Sequence, residues 1–184
     1  LVKVVHQSPN SRWYSGAGIY RNVWLKTRDK NHIVTDGIYI STKQTEYGWQ
    51  VEVDTEVHIY EDVEITHSIL YNGQKIAATS EKVATGGNPS SLNRQRLFVE
   101  NPNLWSPDAP NLYQIVTKMR LVTQAGKEIE SISQNIGFRT IILDPKQGFY
   151  LNGQKMKLNG VCEHHDLGAL GAAFNKTALK TRFV

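Results

Sequence analysis

The chain has 184 residues, of which 40% are apolar and 21% charged, with a single cysteine, Cys162. This size suits one well-buried core with additional segments attached, and one cysteine excludes an internal disulfide bond. The net charge of +4 arises from basic residues scattered among acidic ones, which argues against a nucleic acid as partner. No apolar run approaches the length of about 18 residues that crosses a bilayer, so no membrane partner is predicted.

The first informative segment is residues 12–25, RWYSGAGIYRNVWL. Its aromatic residues and its two glycines, Gly16 and Gly18, suit a tight backbone path that leads into a strand over residues 20–26. A cluster of polar residues at 27–31 then indicates a turn. This segment therefore predicts a strand that precedes the main body of the chain.

From residue 33 to residue 141 the hydrophobic period is two, which predicts strands with one buried face. The alternation is strictest in residues 50–60 and is repeated in residues 62–71, where His67 interrupts the apolar face. We expect His67 to be a hydrogen-bonded core or edge histidine and not a ligand. About seven short strands separated by turn signals indicate an all-β chain, folded as an antiparallel, immunoglobulin-like β-sandwich with Greek-key connections.

After Asp144 the pattern changes again. Two short apolar runs, residues 149–151 and 155–158, flank Asn152-Gly153 and predict a hairpin with a type I′ turn. Residues 169–184 are rich in alanine and lysine and predict the start of a helix capped by Asn175 or Thr177.

The carboxyl-terminal segment carries a motif of the form F-x-L-N-G-x-x-x-x-L-x-G-V-x-x-H. Its fixed positions are Phe149, Leu151, Asn152, Gly153, Leu158, Gly160, Val161 and His164. The motif resembles the segment by which family 2 glycoside hydrolases enter their TIM barrel, and residues 12–25 resemble the final strand of that family's jelly-roll domain. The resemblance implies three parts: residues 1–30, the last strand of a sugar-binding jelly roll; residues 31–143, the sandwich; and residues 144–184, the truncated start of a catalytic TIM barrel.

The resemblance also implies a substrate-binding role for two residues of this chain. His164 would hydrogen-bond the hydroxyl groups of the substrate, because its ring nitrogens can donate and accept, and Asp166 would be a second contact. Cys162 stands where the family usually has asparagine. A metal site made by Glu163, His164, His165 and Asp166 is disfavoured because neighbouring side chains of an extended segment diverge. We therefore expect no metal ion and no other cofactor.

For the parent protein, the resemblance implies retaining hydrolysis of terminal β-glycosides, with a β-galactosidase as the favoured identity. The two catalytic glutamates would lie on later barrel strands, since such a barrel takes about 250 residues. We expect no catalytic residue in this chain and no activity from the chain alone. The acidic face of residues 52–56 also invites an acid–base role, but nothing apolar lies there to raise a carboxyl pKa, so we expect a solvated face.

A different class of function is a stand-alone carbohydrate-binding or adhesion module. A carbohydrate-binding module would need a line of exposed aromatic side chains, and the candidates are scattered along the sandwich: Tyr39, Tyr47, Trp49, Tyr60 and Tyr71. An adhesion module would instead use an exposed edge strand. Trp13 and Tyr14 could stack on a sugar ring but are more often packing residues. The expected partner is the carbohydrate substrate of the parent, which could also form a homo-oligomer. Its compartment stays open, with a periplasmic or extracellular location favoured.

Overall fold

The computed structural model describes residues 1–7, 18–19, 22–123, 127–162 and 175–181. The chain divides into two units, Thr27–Leu158 and a second unit assembled from Leu1–Lys26 and Asn159–Val184. All strands in the described residues belong to the first unit. The prediction of an all-β chain is confirmed.

Seven of the strands form a sandwich. They are β1 (His32–Thr45), β2 (Gly48–His58), β3 (Val63–Tyr71), β4 (Gln74–Val83), β5 (Ser90–Val99), β6 (Tyr113–Leu121) and β7 (Glu128–Ile136). One sheet has the order β1-β2-β5, the other has the order β4-β3-β6-β7, and every pairing is antiparallel. The predicted immunoglobulin-like sandwich is confirmed.

The fourth strand departs from the arrangement of antibody constant domains, where it pairs with the fifth. Here β4 pairs with β3, because the two are joined by the two-residue turn Asn72-Gly73. Both turn residues have positive φ, 49° and 79°, which is the type I′ geometry that matches the twist of a hairpin. The turn therefore keeps β4 in the four-stranded sheet.

Strict alternation along the strands builds a core in two halves. One half contains buried residues near one end of the sandwich: Ile33, Val57, Ile59, Val63, Ile65, Val83, Met119 and Leu121. The other half contains Trp49, Val51, Val53, Ile69, Leu97, Tyr113, Ile115 and Phe138. Between them, the same inward positions carry buried polar residues: Thr55, His67, Asn93, Gln95 and Thr117. These five residues form the polar layer of the sandwich.

The entry to β1 is fixed by Asn31, a residue that is 1% exposed. Its Oδ1 accepts hydrogen bonds from the backbone nitrogens of Tyr60 and Glu61, at 2.7 and 3.2 Å. Its Nδ2 donates to Oε1 of Glu61 at 3.2 Å. Asn31 thus satisfies two backbone donors in the connection between β2 and β3.

The segment that leads into β1 is also joined to the edge strand β7, by an ion pair between Arg28 and Glu130. The Arg28 guanidinium donates to Oε1 of Glu130 at 2.6 Å and to the carbonyl of Ile33, while Oε2 of Glu130 accepts from the Ile33 nitrogen at 2.9 Å. One glutamate therefore bridges β1 and β7, strands that lie at the edges of opposite sheets.

A third sheet follows the sandwich in the same unit. It contains β8 (Ile141–Asp144), β9 (Gly148–Leu151) and β10 (Gln154–Met156), in the order β10-β9-β8. Asn152 and Gly153 have φ values of 50° and 77°, so the predicted hairpin with a type I′ turn is confirmed. Strand β8 crosses residue 143, the predicted end of the sandwich domain, and β9 and β10 lie beyond it, but all three strands are part of the unit Thr27–Leu158.

The second unit contributes few described elements. Residues 22–26 carry no strand, so the strand predicted over 20–26 is wrong for that part. The short helix α1 (Lys176–Lys180) begins after Asn175, whose side chain accepts from the Ala178 nitrogen, and this confirms one of the two predicted caps. In the described part of the chain, no helix is long and apolar enough to cross a membrane.

Candidate functional site

The two residues predicted to bind substrate, His164 and Asp166, lie outside the described residues, as do Glu163, His165 and the aromatic pair Trp13 and Tyr14. Their roles stay predictions. The structure does describe the earlier part of the carboxyl-terminal motif and every other candidate in the sandwich.

The asparagine of the motif fastens its hairpin to the end of the sandwich. The Asn152 backbone nitrogen donates to the Thr140 carbonyl at 2.9 Å, and the Thr140 nitrogen donates back to Asn152 Oδ1 at 3.0 Å. Asn152 Nδ2 donates to the Trp105 carbonyl at 3.0 Å. These three hydrogen bonds, named here the Asn152 clamp, give the motif asparagine a structural role.

Trp105 is itself held on the other side of the clamp. Its backbone nitrogen donates to the Phe138 carbonyl at 2.8 Å, and the Arg139 guanidinium carbon lies 4.7 Å from the Trp105 ring centroid, within range of a cation–π interaction. A Cβ added to Gly137 would lie 2.9 Å from Trp105 Cβ, so glycine is what allows this approach. The clamp is therefore anchored to a packed segment of the sandwich.

Replacing Asn152 with glycine is expected to lower the free energy of unfolding by about 1–2 kcal/mol, because two partly buried backbone groups lose their partners. Glycine tolerates the positive φ of this position, so the loss reports on the hydrogen bonds. The matched control is Asn72→Gly, which has the same turn geometry and an exposed side chain. Urea denaturation of both variants is the measurement, and equal losses would contradict the clamp.

The acidic face of β2 is neutralised by arginines of β5. Register places Glu52 opposite Arg96 and Asp54 opposite Arg94. Arg94 binds both carboxylate oxygens of Asp54 at 2.7 Å, and Arg96 Nε lies 2.7 Å from Glu52 Oε2. The hydrogen bonds from Arg94 hold the pKa of Asp54 below its usual value. A general acid needs a raised pKa, so Asp54 is not suited to that role. The acidic face lies at the surface, as predicted, but its carboxylates Glu52 and Asp54 form ion pairs with arginines.

His67 is fully buried between the two sheets. Its Nδ1 lies 2.9 Å from Thr117 Oγ1 and its Nε2 lies 3.5 Å from Thr55 Oγ1. Burial lowers the pKa of His67 to about 4, because the low-dielectric core disfavours the charged imidazole. The prediction of a hydrogen-bonded core histidine is confirmed. Among the described residues, no group of three or more His, Cys, Asp or Glu side chains is arranged to hold a metal ion.

Sequence reasoning missed the clamp and the arginine pairs. The arginine pairs had a signal, because Arg94 and Arg96 alternate with the same period as Glu52 and Asp54. No sequence signal marks the Asn152 clamp, because Thr140 and Trp105 lie in loops that come together only in the folded chain.

Residues 31–139 match the family model described as glycosyl hydrolases family 2. This span is more than half of the chain. The chain belongs to glycosyl hydrolases family 2. The family membership that the two motif segments predict is confirmed.

Named relatives extend the likeness beyond the matched span. A Bacteroides ovatus protein named beta-galactosidase BoGH2A is 38% identical over 180 residues, which cover 95% of this chain and 21% of that protein. A Bacteroides fragilis protein named beta-glucuronidase is 28% identical over 167 residues, 85% of this chain and 24% of that protein. The crystal structure of a family 2 member from Bacteroides cellulosilyticus superimposes with a TM-score of 0.82 at 32% identity, covering 96% of this chain and 25% of that one. The chain thus spans about a fifth to a quarter of the length of these relatives.

Proposed function

We propose that this chain is a non-catalytic section of a retaining glycoside hydrolase that cleaves terminal β-glycosides. The observation that carries the proposal is the 38% identity to a protein named beta-galactosidase over 95% of the chain. The likeness therefore includes the motif segments at both ends as well as the sandwich. A β-galactoside is the preferred substrate on this ground, and a β-glucuronide is the second candidate because the Bacteroides fragilis relative carries that name.

The proposed domain organisation follows the motifs. Residues 1–30 would complete a jelly roll, residues 31–143 form the sandwich that acts as a rigid spacer, and residues 144–184 would begin a TIM barrel. The spacer role is supported by the hydrogen-bonded attachments at the sandwich ends, the Asn31 contacts at the entry to β1 and the Asn152 clamp beyond β7.

The proposal assigns the chemistry to residues outside this chain. Retaining hydrolysis needs two carboxyl groups about 5–5.5 Å apart, one of them protonated in the resting enzyme. Asp54 does not meet that need, because its hydrogen bonds to Arg94 favour the ionised carboxylate. Glu52 is engaged in an ion pair with Arg96. The contribution of this chain to the active site would be substrate binding by His164 and Asp166, through hydrogen bonds to sugar hydroxyl groups.

Two assays test the proposal. The 184-residue chain should show no turnover of a chromogenic β-galactoside or β-glucuronide. In a longer protein that carries this chain, His164→Ala should lower kcat/KM by about 100-fold, a typical cost of removing one transition-state hydrogen bond, and Asp166→Ala should also lower it. His58→Ala, which removes a partly exposed sandwich histidine, is the matched control and should leave kcat/KM unchanged. Turnover by the chain alone, or an unchanged kcat/KM in His164→Ala, would refute the proposal.

A further inference from the structure

A cleft of about 670 Å³ opens at one end of the sandwich. Its walls are the turn between β1 and β2, the end of β5 and the loop that follows β5. The volume lies within the range of about 300–1,000 Å³ that is usual for small-molecule sites. The side chains that carry the inference are Gln44, Glu46, Tyr47, Phe98, Glu100 and Asn101.

Two aromatic rings in this cleft are open to solvent. Tyr47 is 76% exposed and Phe98 is 48% exposed, although large aromatic residues generally bury most of their surface. Aromatic rings present a flat apolar face, which the C–H face of a pyranose ring can cover. The pair therefore offers a stacking surface for a sugar.

The wall between these rings depends on a glycine. Gly48 follows Tyr47 with a φ of +143°, and a Cβ at this position would lie 2.6 Å from Phe98 Cζ and 2.7 Å from the Glu100 carbonyl oxygen. Only glycine accommodates both the backbone conformation and this close packing. The backbone of Gly48 therefore packs directly against Phe98 and the end of β5.

The polar groups of the cleft suit hydroxyl groups. Gln44 and Asn101 can donate and accept through their amides, and Glu46 and Glu100 can accept through their carboxylates. None of the ion pairs in the described part of the chain involves Glu46 or Glu100, in contrast to Glu52 and Asp54. The two carboxylates are thus available to sugar hydroxyl groups, and their charge would repel an acidic sugar.

We infer that this cleft is a non-catalytic binding site for a neutral β-linked oligosaccharide. The inference rests on the proposed function only for the choice of carbohydrate as the ligand class. Aromatic stacking supplies the apolar contact, the amides and carboxylates orient the hydroxyl groups, and the unpaired negative charges select neutral sugars over uronic acids.

Isothermal titration of the 184-residue chain with a β-1,4-galacto-oligosaccharide tests the inference. We expect a Kd of about 1 mM or tighter, which corresponds to about −4 kcal/mol, and Tyr47→Ala should weaken it at least tenfold. The matched control is Tyr39→Ala, which removes a tyrosine that is 70% exposed on β1 and does not line the cleft. This variant should bind as the unsubstituted chain does.

A uronic acid oligomer of the same length tests the selectivity. It should bind at least tenfold more weakly than the neutral ligand, and the double variant Glu46→Gln, Glu100→Gln should reduce that difference. Absence of heat with the neutral ligand up to about 10 mM, equal affinity for both oligomers, or equal weakening by Tyr39→Ala and Tyr47→Ala would overturn the inference. These results are independent of turnover, so failure here is distinct from failure of the hydrolase proposal.

Discussion

Replacing Asn31 with alanine is expected to lower the free energy of unfolding by about 3 kcal/mol. The substitution removes the acceptor of the Tyr60 and Glu61 backbone nitrogens at a site that is 1% exposed. Each buried donor left without a partner costs about 1–3 kcal/mol. Because domains of this kind are stable by only about 5–15 kcal/mol, the expected loss is a large fraction of the total.

Urea denaturation at neutral pH measures this effect as a shift of the midpoint at constant slope. The control is Asn135→Ala, which removes an exposed asparagine of β7 and should change the stability by at most about 0.5 kcal/mol. Similar losses in the two variants would show that Asn31 does not hold the connection between β2 and β3.

The second large effect is a fall in stability between pH 6.5 and pH 5, caused by His67. Its pKa in the folded chain is about 4, below the ordinary value of 6.5. Above pH 6.5 the imidazole is neutral in both states and contributes no pH dependence. Below pH 6.5 the unfolded chain binds a proton that the folded chain does not, so unfolding is favoured by about 2 kcal/mol at pH 5.

The groups around His67 allow the fall in stability between pH 6.5 and pH 5 to be assigned to this residue. The side chains that contact its ring nitrogens, Thr55 and Thr117, do not titrate. In the described part of the chain, the carboxylates with shifted pKa values are Asp54, Glu61 and Glu128, and all three values are below the ordinary ones. Their native-state stabilisation is lost only as the pH falls further.

Denaturation midpoints at pH 5, 6, 7.5 and 8.5 measure the effect. His67→Asn keeps a polar group beside Thr117 but has no proton to bind, so its stability should change little between pH 6.5 and pH 5. The unsubstituted chain should show equal stability at pH 7.5 and 8.5. A slope in His67→Asn as steep as that of the unsubstituted chain would assign the pH dependence to other groups.

Much of the sandwich could be predicted because its strands obey local rules. The alternation through Val51, Val53 and Val57 coincides with their complete burial. Two of the three Asn-Gly pairs in the chain, Asn72-Gly73 and Asn152-Gly153, form type I′ turns. The order of strands within the sheets could not be read in the same way, because it depends on contacts between distant segments. The pairing of β3 with β4 follows from the turn between them, but the pairing of β3 with β6 is decided by packing, which a period of two does not encode.

The candidate site was less predictable for a different reason. A side chain's chemistry depends on its partner, and the partners come from other strands or loops. Glu52 and Asp54 carry the residue types of an acid–base pair, but Arg94 and Arg96 reach them from β5. The cleft beside Tyr47 joins a turn to a loop about fifty residues later, and no local pattern marks that meeting.

The polar layer has a consequence for strand alignment during folding. A slip of β3 by two residues along β6 would preserve the alternation of inward and outward side chains, so the apolar pattern alone does not oppose it. Such a slip would move His67 from Thr117 to a position opposite Ile115 or Met119, where its ring nitrogens would lose a hydrogen-bonding partner at substantial cost. The buried His67 therefore favours the observed register of β3 and β6 over the register that is shifted by two residues.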